Sequence, residues 1–234
     1  MLNKSGYLLL CTWLTVTAGL YGQMPGGETK SLANDALIYR IDKPAGYNQD
    51  GQPVPLLLFL HGGDRSNTKH HPLRYARKAG IHFPFLVLAP HCPAGCSWNT
   101  IDIDRLLSEV VSGYNVDRNR IYITGYSYGA YGTWSLLSRS PEWFAAAAPI
   151  AGGGSTNQLC KLQNINIRAY HGTNDRVTAY ANSKKLIDAL RQCSTRAELV
   201  SLEGKGHGIW PEIFSQQEFY DWLLKHNKTT KPNH

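Results

Sequence analysis

Seven short apolar runs punctuate the chain, at residues 36–41, 55–60, 85–89, 120–124, 144–150, 165–170 and 197–202. Each has the length of a strand. Most lack the apolar–polar alternation of a sheet with one wet face, so they predict strands covered on both sides. Between them the period changes. Ile103, Leu106, Leu107, Val110, Val111 and Tyr114 recur at three- and four-residue spacing, which predicts a helix that buries one stripe. Residues 180–193 behave similarly through Leu186, Ile187 and Leu190, and residues 128–138 read as a helix that directly follows a strand. A last helix is predicted over 211–226, with Pro211 at its first turn and Ile213, Phe214, Phe219, Trp222 and Leu223 along it. Strands alternating with helices specify an α/β fold with a mostly parallel central sheet and helices on both faces. Sites in such sheets form at the carboxyl ends of the strands.

The amino terminus departs from this pattern. Lys4 precedes an apolar stretch at 7–16, and the small residues Ala18, Gly19 and Gly22 follow. A basic start, a short apolar centre and a small-residue exit describe a secretory signal over 1–22, too short for a comfortable membrane span, with cleavage near Gly22-Gln23. A lipoprotein reading through Cys11 is weaker because little apolar sequence precedes it, and an uncleaved anchor is the remaining alternative. The expected organisation is a signal at 1–22, a flexible segment at 23–34, one catalytic domain at 35–226 and a disordered basic tail at 227–234. A single core suits 234 residues of which 42% are hydrophobic.

Export changes the meaning of the cysteines. Loss of Cys11 leaves Cys92, Cys96, Cys160 and Cys193, an even set with three possible pairings in an oxidising compartment. We favour Cys92–Cys96, which closes a short loop, and Cys160–Cys193, which ties the segment before one strand to the end of the following helix. The spacing Cys-x3-Cys has no second cysteine or histidine pair to complete a zinc site, and His70, His71 and His82 lack an acidic co-ligand at convincing spacing, so no metal is expected. Partial exposure is the expectation for that histidine stretch. The formal charge is +7, part of it in the lysines of 225–231. No basic face interleaved with exposed aromatics marks a nucleic-acid site. Asn227-Lys228-Thr229 is a glycosylation sequon that matters only in a host that glycosylates exported proteins.

The candidate chemistry centres on Gly125-Tyr126-Ser127-Tyr128-Gly129, set between a predicted strand and a predicted helix. A nucleophilic serine on a strained strand-to-helix turn needs glycines two residues to either side, because side chains there would meet the neighbouring strand or helix. A serine hydroxyl is a weak nucleophile, so Ser127 needs a histidine base and that histidine needs an orienting acid. Asp175 follows the run at 165–170 within His171-Gly172-Thr173-Asn174-Asp175, and His207 follows the run at 197–202 between Gly206 and Gly208. Duller readings exist for each: Ser127 as a helix cap, Asp175 as a turn residue, His207 as an ordinary loop histidine. An oxyanion hole is expected from the backbone N–H of Gly63, after the apolar strand that runs into His61-Gly62-Gly63, and from that of Tyr128. His61 is expected to brace this loop. Trp98 and Trp210 are candidate substrate-binding walls, with core packing an equal alternative.

Together, Phe59-Leu60-His61-Gly62-Gly63, Ala89-Pro90-His91-Cys92-Pro93, the stretch 115–130, the run 148–153, His171-Gly172 with Asp175, and Gly206-His207 resemble the α/β-hydrolase superfamily. More narrowly they are similar to its small exported esterases, labelled predicted peptidases or phospholipase/carboxylesterase-like and related to polyhydroxybutyrate depolymerases and feruloyl esterases. The resemblance covers essentially the whole mature chain, and one fold hosts many substrates. It implies an α/β-hydrolase fold and a secreted or periplasmic, cofactor-independent serine carboxylesterase acting on a small-molecule or polymer-attached ester through an acyl-enzyme. Tyr128 is a departure, since methionine or another small-to-medium residue is commoner after the serine. The short stretch between the strands ending near Ile150 and starting near Ile165 leaves little room for a cap domain, which implies an open cleft. A serine peptidase and a catalytically silent binding protein on the same scaffold are the alternatives. Neither stable membrane insertion after signal cleavage nor a nucleic-acid partner is expected, and nothing in the sequence specifies an oligomer.

Overall fold

A computed structural model of the chain describes residues 26–32, 37–66 and 68–228. The expected signal at 1–22 and residues 229–234 of the expected tail lie outside the described residues. The strands are β1 (Gly27–Ser31), β2 (Ile38–Asp42), β3 (Val54–Leu60), β4 (Leu86–Pro90), β5 (Val116–Tyr126), β6 (Ala146–Ile150), β7 (Asn166–Gly172) and β8 (Ala197–Leu202). They form one sheet in the order β1-β2-β4-β3-β5-β6-β7-β8, antiparallel at β1/β2 and β2/β4 and parallel from β4 to β8.

Alternation along the central strands divides the core. Leu56, Leu58 and Leu60 of β3 face one side, where α2 (Ile103–Gly113), α3 (Tyr128–Arg139) and α4 (Tyr180–Arg191) bury Leu106, Leu107, Leu137, Leu186 and Leu190. Leu57 and Phe59 face the other, under α1 (Pro72–Lys78), α5 (Trp210–Phe214) and α6 (Gln217–Leu224), which supply Ala76, Phe214, Phe219 and Leu223. Both faces being dry explains why the strands read as continuous apolar runs. Each buried leucine or phenylalanine contributes about 1.5–3 kcal/mol relative to exposure.

This topology fixes where a site can form. After β3 the chain turns towards β4 by way of α1 on one face, whereas after β5 it enters α3 on the other. Loops leaving adjacent parallel strands in opposite directions open a crevice at their carboxyl ends. The β3 and β5 ends are paired there, Leu60 opposite Gly125.

Three elements differ from expectation. Gly27–Ser31, inside the segment expected to be flexible, is an edge strand: its backbone pairs with β2 from Gly27 opposite Asp42 to Ser31 opposite Ile38, and Lys43 Nζ lies 2.9 Å from Glu28 Oε1. β5 begins four residues before the expected run, because its first turn of sequence is a polar extension in which Arg120 Nε pairs with Asp117 Oδ2 at 2.6 Å. The last helix is two. Gln216 is extended, with φ −108° and ψ 127°, and the break lets the Tyr220 hydroxyl donate to the Phe214 carbonyl at 2.8 Å while both Phe214 and Phe219 stay in the core. Between β6 and β7, residues 151–165 hold a single 3₁₀ turn, Leu159–Leu162, and no cap domain is inserted there.

His70 and His71 correct a further expectation. Both are buried rather than partly exposed. His71 Nε2 lies 3.4 Å from Asp42, whose carboxylate takes two 2.7 Å hydrogen bonds from Arg40, so the start of α1 packs against a buried ion pair of β2. Burial pushes His71 down to about 4 despite the adjacent carboxylate.

Candidate active site

Ser127 occupies the corner between β5 and α3 with φ 54° and ψ −116°, a conformation that non-glycine residues adopt at a cost of about 1–3 kcal/mol. Two glycines permit it. A Cβ at Gly129 would lie 1.9 Å from the Leu60 carbonyl oxygen, and one at Gly125 would lie 2.2 Å from the Gly129 carbonyl oxygen. The turn is further held by the Ser127 N–H, which donates to the Ile150 carbonyl at the end of β6 at 2.8 Å. The Ser127 hydroxyl makes no capping bond to its helix. It lies 2.9 Å from His207 Nε2 instead.

His207 Nδ1 is 2.7 Å from Asp175 Oδ2. The two oxygens of Asp175 divide the work: Oδ1 accepts the backbone N–H groups of Val177 and Thr178 at 2.8 and 2.9 Å, and Oδ2 faces the histidine. Asp175 is thus a turn-forming acid and a partner of His207 at once. Burial opposes its charge, but the bond from His207 and the two backbone donors outweigh that opposition and hold its pKa below the usual carboxylate value.

A second histidine, which the sequence did not single out as a site residue, touches the same carboxylate. His171 is fully buried, with Nε2 2.9 Å from the Thr178 carbonyl and 3.2 Å from Asp175 Oδ2, so Nε2 carries the hydrogen. Its Nδ1 lies 2.7 Å from Ser183 Oγ, which donates to the Gly152 carbonyl. The loops after β7 and β8 approach backbone to backbone at Gly172, where a Cβ would lie 2.4 Å from the carbonyl oxygens of Lys205 and Gly206. That close approach brings Asp175 to His207. The glycines flanking His207 are less constrained, since a Cβ at Gly206 would meet nothing nearer than 3.9 Å.

Gly63 lies across from the elbow. A Cβ there would stand 4.0 Å from the Tyr128 Cβ, so the two backbone N–H groups expected to form an oxyanion hole belong to neighbouring residues, one of them at an orphan helix N-terminus. His61 braces the Gly63 loop: its Nδ1–H donates to the Gly62 carbonyl at 2.8 Å and its Nε2 accepts the Cys92 N–H at 2.9 Å. Burial holds its pKa down to about 4, so the imidazole is neutral and this tautomer follows.

Cys92 and Cys96 are joined, as are Cys160 and Cys193. The first loop is clamped by Arg65, whose Nη1 donates to the carbonyls of Cys92, Pro93 and Cys96 at 3.2, 3.0 and 3.3 Å. The same guanidinium lies 5.2 Å from the Tyr128 ring, and the Tyr128 hydroxyl donates to the Cys96 carbonyl at 3.1 Å. The Tyr128 ring is therefore anchored to the disulfide loop. Of the two tryptophans, Trp210 is half-buried in a stack with Tyr126, 4.5 Å away, and Tyr126 in turn lies 5.1 Å from His207. Trp98 is only 4% exposed and is packed over Gly132 and against His61.

Comparison with known proteins bears on the family and the fold. The profile of the phospholipase/carboxylesterase family matches residues 93–226, more than half of the chain. The chain is 27% identical over 154 residues to the bifunctional acetylxylan esterase/xylanase XynS20E of Neocallimastix patriciarum, covering 62% of this chain and 23% of that protein. It is 27% identical over 122 residues to poly(3-hydroxyalkanoate) depolymerase C of Paucimonas lemoignei, covering 44% of this chain and 29% of that protein. It therefore spans about a quarter of the length of these relatives. Among solved structures, a thermostable esterase superposes with a TM-score of 0.75 at 29% identity, over 86% of this chain and 62% of that one. A mutant feruloyl esterase module from Clostridium thermocellum, complexed with sinapinate, shares the fold with a TM-score of 0.67 at 17% identity, over 89% and 90%. The chain belongs to the phospholipase/carboxylesterase family, with the α/β-hydrolase fold.

Proposed function

We propose that the protein is an exported carboxylesterase in which Ser127 attacks the ester carbonyl, His207 takes the serine proton and returns it to the leaving alcohol, and Asp175 orients and charge-balances the imidazole. The Gly63 and Tyr128 N–H groups stabilise the oxyanion, and water releases the acyl group by the same route in reverse. The observation that carries this reading is the continuous relay Ser127–His207–Asp175 at 2.9 and 2.7 Å, built on a serine held in a strained turn. Two disulfides support an oxidising compartment, secreted or periplasmic. Among the described residues no helix is long and apolar enough to cross a membrane. The uncapped crevice favours polysaccharide-linked or polyester substrates, in keeping with relatives named for acetylxylan and poly(3-hydroxyalkanoate).

Labelling the purified protein with a fluorophosphonate and locating the adduct, alongside turnover of short-chain p-nitrophenyl esters, tests the assignment. The adduct is expected on Ser127, with Ser127→Ala neither labelled nor active. Labelling at another serine, or ester turnover by Ser127→Ala near the wild-type rate, overturns it.

A further inference from the structure

A trough of about 300 Å³ runs along one face of α3, starting at the residue after Ser127. Tyr128, Tyr131, Gly132, Ser135 and Ser138 line it from the helix, at the three- and four-residue spacing that keeps side chains on one face. The span from Tyr128 to Ser138 is about 15 Å at 1.5 Å per residue. The opposite wall is the Ser97–Asn99 stretch that follows the disulfide loop. Gly132 lets this wall approach the helix: a Cβ would lie 2.6 Å from the Trp98 ring.

The lining mixes tyrosine and tryptophan rings with serine hydroxyls and the Asn99 amide. Tyr128 is immobilised by its bond to Cys96 and by Arg65. Tyr131, 39% exposed, is steadied by the Asn182 amide, which donates to its hydroxyl at 3.2 Å. Ser135 donates to Asn99 Oδ1, leaving the Asn99 amide hydrogens to point elsewhere. Rigid tyrosines offer contact area at little entropic expense, and a few fixed polar groups set orientation. A long acyl chain seeks an enclosed apolar tunnel; a pyranose ring has one C–H face that lies on an aromatic ring and a hydroxyl edge that needs donors and acceptors. The trough matches the second, and Tyr128 at its head is the residue next to Ser127.

We propose that this α3 trough is the subsite for the sugar portion of a glycan-borne ester, with Tyr131 as its stacking platform and Asn99 as a rim contact. The proposal rests on Ser127 being the nucleophile, and the experiment separates the two. Wild type, Tyr131→Ala, Asn99→Ala and Ser135→Trp, the last filling the trough, are assayed on p-nitrophenyl acetate and on acetylated xylo-oligosaccharides. Melting temperatures verify folding. On the oligosaccharide ester, kcat/KM is expected to fall about 5- to 10-fold for Tyr131→Ala, in line with the worth of an aromatic contact. Asn99→Ala is expected to lose about threefold, and Ser135→Trp more than tenfold. Turnover of p-nitrophenyl acetate, which is too small to occupy the trough, stays within twofold throughout. Parallel losses on both substrates, no loss on the oligosaccharide, or a wild type that cleaves p-nitrophenyl acetate but no acetylated oligosaccharide each overturn the trough assignment while the serine chemistry stands. Absence of turnover on both esters with no labelling of Ser127 removes the underlying reading and the subsite with it.

Discussion

Removing the two disulfides one at a time should separate stability from activity in opposite order. In the chain-entropy picture a cross-link stabilises by restricting the unfolded chain, by an amount that grows with the logarithm of loop length. Cys92 and Cys96 are 4 residues apart and Cys160 and Cys193 are 33 apart. The same relation gives about 2 kcal/mol for the short loop and about 4 kcal/mol for the long one. The short loop, however, carries the Cys92 N–H that fixes His61, the three carbonyls that hold Arg65 and the acceptor of the Tyr128 hydroxyl. Both proposed oxyanion donors lean on it. Full loss of one such donor costs about 2.7–4 kcal/mol of transition-state stabilisation. Displacement by a loosened loop should cost part of that, about 1.4 kcal/mol or tenfold in kcat. Cys160→Ala with Cys193→Ala is therefore expected to be the less stable double variant and to keep its kcat below its melting point. Cys92→Ala with Cys96→Ala should be the more stable one and lose about tenfold. Urea titrations followed by fluorescence, with kcat on p-nitrophenyl acetate at 20 °C, measure both quantities. If Cys92→Ala/Cys96→Ala retains full kcat, the argument that the loop positions Tyr128 and Gly63 is wrong.

Gly129→Ala should destabilise by more than about 3 kcal/mol or prevent folding, because its Cβ meets the Leu60 backbone, whereas Gly206→Ala should stay within about 0.5 kcal/mol; an active Gly129→Ala with an unchanged melting point would contradict the elbow geometry. His171→Ala leaves the Thr178 carbonyl and one side of Asp175 without a donor, so kcat is expected to fall about tenfold with KM little changed. His171→Gln, which keeps a donor, should recover part of it; a kcat for His171→Ala within twofold of wild type would show that His171 does not position the acid. His61 and His71 are held near 4 against an ordinary value of 6.5, so below pH 6.5 the unfolded chain binds protons that the folded one does not. Their contribution is complete above pH 6.5 and declines until the folded forms titrate near 4, a loss of about 2 kcal/mol each by pH 5. Urea unfolding at pH 7.5 and pH 5 reads this directly, and equal stabilities would refute it.

The parts of this protein that its sequence disclosed are those whose causes are local. The central strands read as apolar runs because both faces of the sheet are covered, and the helices read by stripe because one side of each is wet. β1 escaped because Gly27-Glu28-Thr29-Lys30-Ser31 has no apolar pattern; it is held by backbone pairing at an edge, which side-chain composition does not register. The last helix was expected whole because the break at Gln216 serves a bond between Tyr220 and Phe214, and neither residue is a breaker. His70 and His71 looked like surface residues for the same reason. Asp42, which His71 faces, lies far away in sequence.

The glycines show where that boundary lies. Gly125 and Gly129 announce the elbow because the clash each avoids is dictated by the turn itself, four residues of chain and the strand beside it. Gly206 and Gly208 drew attention by flanking His207, yet a side chain at Gly206 would find room. The glycine that sets the distance from Asp175 to His207 is Gly172, whose missing side chain lets the β7 loop lie against the carbonyls of Lys205 and Gly206. Gly152 acts likewise, since a Cβ there would stand 2.4 Å from Ala130 and 3.0 Å from the Ser127 carbonyl. The serine, the acid and the histidine thus converge by three close approaches of backbone to backbone or helix, of which only the one internal to the elbow leaves a motif. The other two depend on which loops the sheet order makes neighbours, so a reading that names Asp175 and His207 can still misplace the constraint that brings them together.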